Sequence, residues 1–199
     1  MSTPFSAQRI SAIVQESISV KSALITDCIE QIEQCGMLLS NAATHNKLIM
    51  LCGNGGSAAD SQHIAAELVV RLRGGIERRA IKSMALTVDS SVITAGGNDY
   101  GYNQIFARQV EAFGSSGDVL IAITTSGTSA NVVAAVNQAK QQGVLCIGLL
   151  GGSGGALKEL CDVSVVVPSS VTARIQECHI MIGHIWCEMI EEAVAPDLF

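Results

Sequence analysis

An unbroken apolar run at residues 48–51 stops at a glycine-rich turn, and the residues after it take up amphipathic helical spacing. That pattern predicts a strand, a tight loop and a helix. Short β-rich runs follow near residues 84–88, 119–123, 144–149 and 163–167, with helical patterns between them at 105–113, 130–142 and 173–194. Strands alternating with helices predict a parallel sheet covered on both faces. Ahead of it, residues 6–44 read as helical, with Ile25, Cys28, Ile32, Cys35 and Leu39 alternating steps of three and four as one apolar stripe. A break between Ser17 and Ser22 would divide this stretch into two helices. The predicted fold is therefore α/β: a three-layer αβα sandwich around a five-stranded parallel sheet of flavodoxin-like order 2-1-3-4-5, preceded by two helices.

Composition sharpens this picture. The length of 199 residues suits one domain, 1–199, with a full core. Charged residues make up only 15% of the chain, well under the ~25% usual for soluble proteins. So little polar cover predicts burial between subunits, with residues 1–45 as the packing helices. A net charge of -6 without a basic run argues against nucleic acid. No apolar run approaches the roughly 18 residues of a membrane span, and the first ten residues lack the basic and apolar regions of an export signal. Seven cysteines, an odd number without a C-x-x-C pair, read as reduced core residues. The expectation is a cytoplasmic protein that binds neither membrane nor nucleic acid.

In such sheets, ligands bind beyond the strand ends where the strand order reverses. Two loops fall there. Gly53, Gly55 and Gly56 allow close backbone approach, and Ser57 can cap the following helix, whose free N–H groups suit an anion. Gly53-x-Gly55-x-x-Ala58 also meets a loose dinucleotide pattern, which is weak evidence alone. The second loop, residues 124–129, carries five hydroxyls (Thr124, Thr125, Ser126, Thr128 and Ser129) ahead of a helix. One capping residue would be enough for an ordinary turn, so five favour a phosphomonoester and weaken the dinucleotide reading. On the first helix, His63 and Glu67 lie four apart on one face, an ionisable pair facing the loop.

These motifs are joined by Gly97-Asn98-Asp99 and by Ala173-Arg174-Ile175-Gln176-Glu177. In order and spacing, across essentially the whole chain, they resemble the sugar isomerase (SIS) domain family, in particular its phosphoheptose isomerase branch. The resemblance implies an aldose–ketose isomerase acting on sedoheptulose 7-phosphate, the first step toward the heptose of lipopolysaccharide. It implies that Asn54, Gly55, Gly56, Ser57, Asn98, Asp99 and Gln176 contact the sugar phosphate, with Thr124, Thr125, Ser126 and Ser129 on the phosphate. Glu67 would be the catalytic base and His184 its proton-shuttling partner. Family members can carry zinc, and His63, Glu67, Gln176 and His184 match its ligands. A homotetramer is implied as well. Two departures stand out: Thr124 replaces the common Ser, keeping the hydroxyl, and Thr128 replaces the usual Asn.

A non-catalytic relative of the same fold binds the bacterial replication initiator, so fold alone does not decide. That relative lacks the ionisable residues matching Glu67 and His184, and this chain has both. Transcription regulators with a similar domain add a basic helix-turn-helix, which does not precede this one. Taken singly, each residue has a plainer reading. His45 and His179 fit surface or core histidines, and Glu67 could pair with Arg71 at i,i+4.

Overall fold

A computed structural model describes residues 6–199. Residues 1–5, half of the segment weighed above as an export signal, lie outside it. Thirteen elements follow: α1 (Ala7–Asp27), α2 (Ile29–Thr44), β1 (Ile49–Gly53), α3 (Gly56–Val69), β2 (Ser83–Ala85), α4 (Ser90–Tyr100), α5 (Ile105–Phe113), β3 (Val119–Thr124), α6 (Ala130–Gln141), β4 (Leu145–Gly151), α7 (Leu157–Leu160), β5 (Val163–Val167) and α8 (Thr172–Val194). The five strands form one parallel sheet in the order β2-β1-β3-β4-β5, as the sequence pattern predicts.

The strands bury both faces because their side chains alternate between two apolar cores. Ile49, Leu51, Ile121 and Ile123 point into a core closed by α2, α3 and α8. Met50, Cys52, Leu120 and Ala122 point the other way, toward α5 and α6. All seven cysteines are buried and free, as expected of core residues. Among the described residues, no helix is long and apolar enough to cross a membrane.

Four local expectations need correction. The N-terminal helices break at Cys28, not between Ser17 and Ser22. Both serines are satisfied inside α1: Ser22 Oγ donates to Ile18 O at 2.9 Å and Ser17 Oγ to Glu177 Oε2 at 2.6 Å. The break rotates Ile25 out of the stripe, so it is exposed while Cys28, Ile32, Cys35 and Leu39 are buried. Strand β2 has only three residues, since past Ala85 only the Leu86 N–H still bonds across, to Leu51 O at 2.8 Å. Finally, Ser57 does not cap α3: Gly55, at φ 56°, is the N-cap, and Ser57 is buried in the first turn. An unforeseen helix, α4, starts at Asp89, whose Oδ1 accepts from Val92 N at 3.0 Å.

Candidate active site

Adjacent strands β1 and β3 end in the two loops, which share a cavity of about 210 Å³ lined by Asn54, Ser57, Thr124, Thr125, Ser126, Ser129, Thr172 and Gln176. Its hydroxyls form a network: Thr124 Oγ1 lies 3.0 Å from Ser129 Oγ and 3.4 Å from Ser126 Oγ. Thr128 Oγ1 donates to Ser126 Oγ at 3.1 Å. Ser129 is the N-cap of α6 yet makes no side-chain cap bond, so its hydroxyl is turned to the network instead. No Lys or Arg lines this cavity. An anion there would be held by hydroxyls, helix-start N–H groups and the dipole of α6.

Gly56 explains how the far wall closes, because a Cβ there would land on the Gln176 side-chain amide. Asn54 is fixed by a reciprocal pair with Asn131 of α6: each Nδ2 donates to the other's Oδ1, at 2.9 and 2.8 Å. Tyr102 OH adds a third bond, to Asn54 Oδ1 at 3.0 Å.

About 12 Å along α8 from Gln176, eight residues on, stands His184. Here α3 and α8 bring three ionisable groups together. His63 Nε2 is 2.9 Å from His184 Nε2 and 3.3 Å from Glu67 Oε1. Two ring nitrogens at that distance form a hydrogen bond in which one donates and the other accepts. The donor types, two imidazoles and a carboxylate, suit zinc. Two nitrogens on a tetrahedral ion with bonds of ~2.0–2.1 Å would stand roughly 3.3 Å apart, so the rings need to part by a few tenths of an ångström. Among the described residues, no group of three or more His, Cys, Asp or Glu is placed to hold a metal ion. Gln176 faces the phosphate-side cavity, and no hydrogen bond joins it to the trio.

Asn98 and Asp99 stand apart. They end α4 exposed, with Asn98 Nδ2 donating to Asp99 Oδ1 at 2.7 Å, and neither lines the cavity. Size alone does not locate the site either. A larger cavity, about 490 Å³, lies at the opposite ends of the strands, between Leu38 and Leu145, without a convergent acid–base set.

Residues 14–151 match the model of the SIS domain family. The phosphoheptose isomerase of Leptospira biflexa is 49% identical over 92% of this chain and 94% of its own length. That of Nitratiruptor sp. is 60% identical over 76% and 80%. The chain belongs to the phosphoheptose isomerase family. A solved phosphoheptose isomerase from Neisseria gonorrhoeae superposes with a TM-score of 0.86 at 41% identity, covering 93% of this chain and 98% of that one.

Against the phosphoheptose isomerase pattern, three residues of this site escape sequence reading. Asn131 looks like one polar residue in an alanine-rich helix, and only its pairing with Asn54 shows its use. Thr172 joins the cavity from the start of α8. Asp60 had a signal: with His63 and Glu67 it completes an i, i+3, i+7 stripe on α3. Its Oδ2 is buried without a partner, and burial raises its carboxyl above the usual range against the opposing pull of His63.

Proposed function

We propose that this protein isomerises sedoheptulose 7-phosphate to D-glycero-D-manno-heptose 7-phosphate, at the head of the route to the heptose of lipopolysaccharide. The observation that carries the proposal is the meeting of His63, Glu67 and His184 within 2.9–3.3 Å, on the same two helices that wall the hydroxyl cavity. A sugar with phosphate at one end and carbonyl at the other suits a site with these two parts set apart along α8.

The hydroxyls of Thr124, Thr125, Ser126 and Ser129 take the phosphate, and Asn54, Gly55, Gly56, Ser57 and Gln176 contact the substrate; Asn98 and Asp99, exposed outside this cavity, would meet only a part of the sugar that extends beyond it. Glu67 takes the proton from C1, and the C–H electron pair becomes the C1–C2 double bond. His184, coupled to His63, gives a proton to O2. The proton on O1 then returns to the imidazole, and Glu67 delivers its proton to C2, leaving the aldose and the resting side chains. Zinc, one per subunit, would be held by His63, Glu67, Gln176 and His184 and would supply charge to polarise the sugar oxygens in place of those proton transfers. Residues 1–199 act as one domain in a cytoplasmic homotetramer packed through residues 1–45.

Glu67→Gln tests the reading, since it keeps size and polarity and removes the base. Turnover should fall by roughly 10²–10⁴-fold, with loss of solvent deuterium entry at the sugar carbon and retention of substrate binding. Near wild-type turnover in this variant would refute the assignment of the base. A wild type inert on every ketose phosphate would refute the enzyme.

A further inference from the structure

The end of α3 beyond Glu67 is held by a buried ionic cluster that the reaction above does not use. Arg78 follows α3 in an irregular segment, yet its side chain is only 1% exposed, and Glu191 on α8 is 0% exposed. Four hydrogen bonds leave the Arg78 guanidinium. Nη2 donates to the Glu67 carbonyl at 2.7 Å and Nη1 to the Leu68 carbonyl at 2.9 Å, both in the last turn of α3. Nη1 also reaches the Arg79 carbonyl at 3.0 Å, and Nε donates to Glu191 Oε1 at 3.0 Å. Carbonyls at a helix C-terminus lack intrahelical donors and carry the negative end of the dipole, so a guanidinium suits them.

The carboxylate is equally engaged. Glu191 also accepts from Leu72 N at 3.0 Å and from Arg73 Nε at 3.1 Å. Burial alone would raise its carboxyl; the bonds from Arg73 and Leu72 and the charge of Arg78 bring it below the usual range. A buried ion pair is seldom better for stability than a well-packed apolar pair of the same volume. Its bonds, unlike apolar contacts, fix direction and length.

Those directions matter because of what lies nearby. Glu191 is seven residues, two turns, beyond His184 on the same face of α8. The guanidinium thus ties the peptide of Glu67 to the helix that carries His184. A second point of contact lies at Gly183, next to His184, where a Cβ would collide with Ile64 of α3. Two fixed points set both the spacing and the axial register of the helix pair.

We propose that Arg78 and Glu191 are positioning residues, which lock α3 against α8 so that His63 and Glu67 meet His184 at proton-transfer distance. The inference rests on the isomerase reading for its kinetic consequence, while its structural content is independent of the substrate. Lys in place of Arg78 keeps the charge but loses the planar fork that spans carbonyl and carboxylate. Glu191→Gln keeps the shape and loses the charge.

The test measures kcat and KM on sedoheptulose 7-phosphate, the imidazole ¹⁵N shifts of His63, His184 and His45, and the melting curve, all on protein as purified. Arg78→Lys and Glu191→Gln should each lower kcat by about 10–100-fold, the usual effect of losing a support behind a working residue. KM should move by less than about threefold. The resonances of His63 and His184 should shift in both variants while those of His45, distant at the end of α2, stay put. Arg73→Gln touches the same carboxylate but not the Glu67 carbonyl, and should lower the melting temperature with kcat little changed. Folded variants with wild-type kcat and unshifted His63 and His184 would reduce the cluster to a staple. A kcat that falls only with the folded fraction, or equally in Arg73→Gln, would do the same. If Arg78→Lys fails to fold, the isosteric Glu191→Gln decides. A wild type without turnover would overturn the isomerase reading alone, and the imidazole shifts would still decide the clamp.

Discussion

Ser129 stands at the start of α6 and caps nothing, which separates a ligand-binding hydroxyl from a structural one. Ser129→Ala should therefore leave the melting temperature nearly unchanged. Ser126→Ala and Ser129→Ala should each weaken sugar phosphate binding by about 0.5–1.5 kcal/mol, or up to ~3 where the bond meets a charged oxygen. Calorimetry showing a double mutant that binds as tightly as wild type would return the loop to a plain turn. His179 offers a second test at this scale, away from the site. Its Nε2 donates to Leu150 O at 3.0 Å, its Nδ1 is buried without a partner, and burial lowers its pKa from 6.5 to about 4. The folded protein thus refuses a proton that the unfolded chain takes up across this window. Stability should fall as pH drops from 6.5 toward 4, by about 3 kcal/mol at the low end. His179→Gln can keep a donor for Leu150 without titrating, and its melting temperature should fall less over the same range. Parallel pH profiles for the two proteins would mean that the ring is not held neutral.

Among elements, the pair α3 and α8 decides the chemistry. Elemental analysis should find zinc approaching one per subunit, and His63→Ala should lower it. A full complement in Gln176→Ala would keep that amide on the phosphate side, whereas a loss would show it swinging to the ion. Fully active metal-free protein would leave the trio as proton-transfer groups only. What the sequence makes legible at this scale follows from periodicity. Strands whose side chains alternate between two cores produce continuous apolar runs, so four of the five strands fall within a residue or two of expectation. β2 is harder, because an edge strand needs few apolar residues and its end is set by where β1 stops offering partners. The first break in the helices is invisible for another reason. Serines that suggest an interruption bond back to Ile18 or across to Glu177, and only tertiary contact reveals it. The site divides likewise. His63 and Glu67 are joined by helical spacing, and the loop hydroxyls by adjacency. His184 comes from more than a hundred residues away, and residue pattern alone would pass it over as one more histidine on an apolar helix. Asn131, Arg78 and Glu191 act through partners that local sequence does not contain.

Over the whole molecule, two apolar surfaces lie uncovered in the single chain. The first is on α1, a helix of 21 residues of which only Leu24 is buried. Ile10, Val14 and Ile18, successive i+4 neighbours, are 53%, 53% and 50% exposed. The second belongs to α4, which buries no residue at all, and to α5 beside it. Val92, Tyr100 and Phe113 are exposed there around a cavity of about 290 Å³. A single two-fold contact covers one surface and leaves the other in water. Two different two-fold contacts, used together, close into a tetramer that covers both surfaces. The low charge of the chain, 15% of residues, points the same way. Sedimentation should accordingly give a species larger than a dimer, best fitted by four chains. Val14→Glu with Ile18→Glu should halve it by opening the α1 contact, while Val92→Glu with Phe113→Glu should halve it by opening the other. Deleting residues 1–44 should give insoluble or dissociated protein, because Cys28, Ile32, Cys35 and Leu39 of the core leave with α1 and α2. A well-folded wild-type monomer at micromolar concentration would refute the assembly. A dimer that only the α1 pair of substitutions disrupts would confine the interface to the N-terminal helices and leave the α4 surface to another partner.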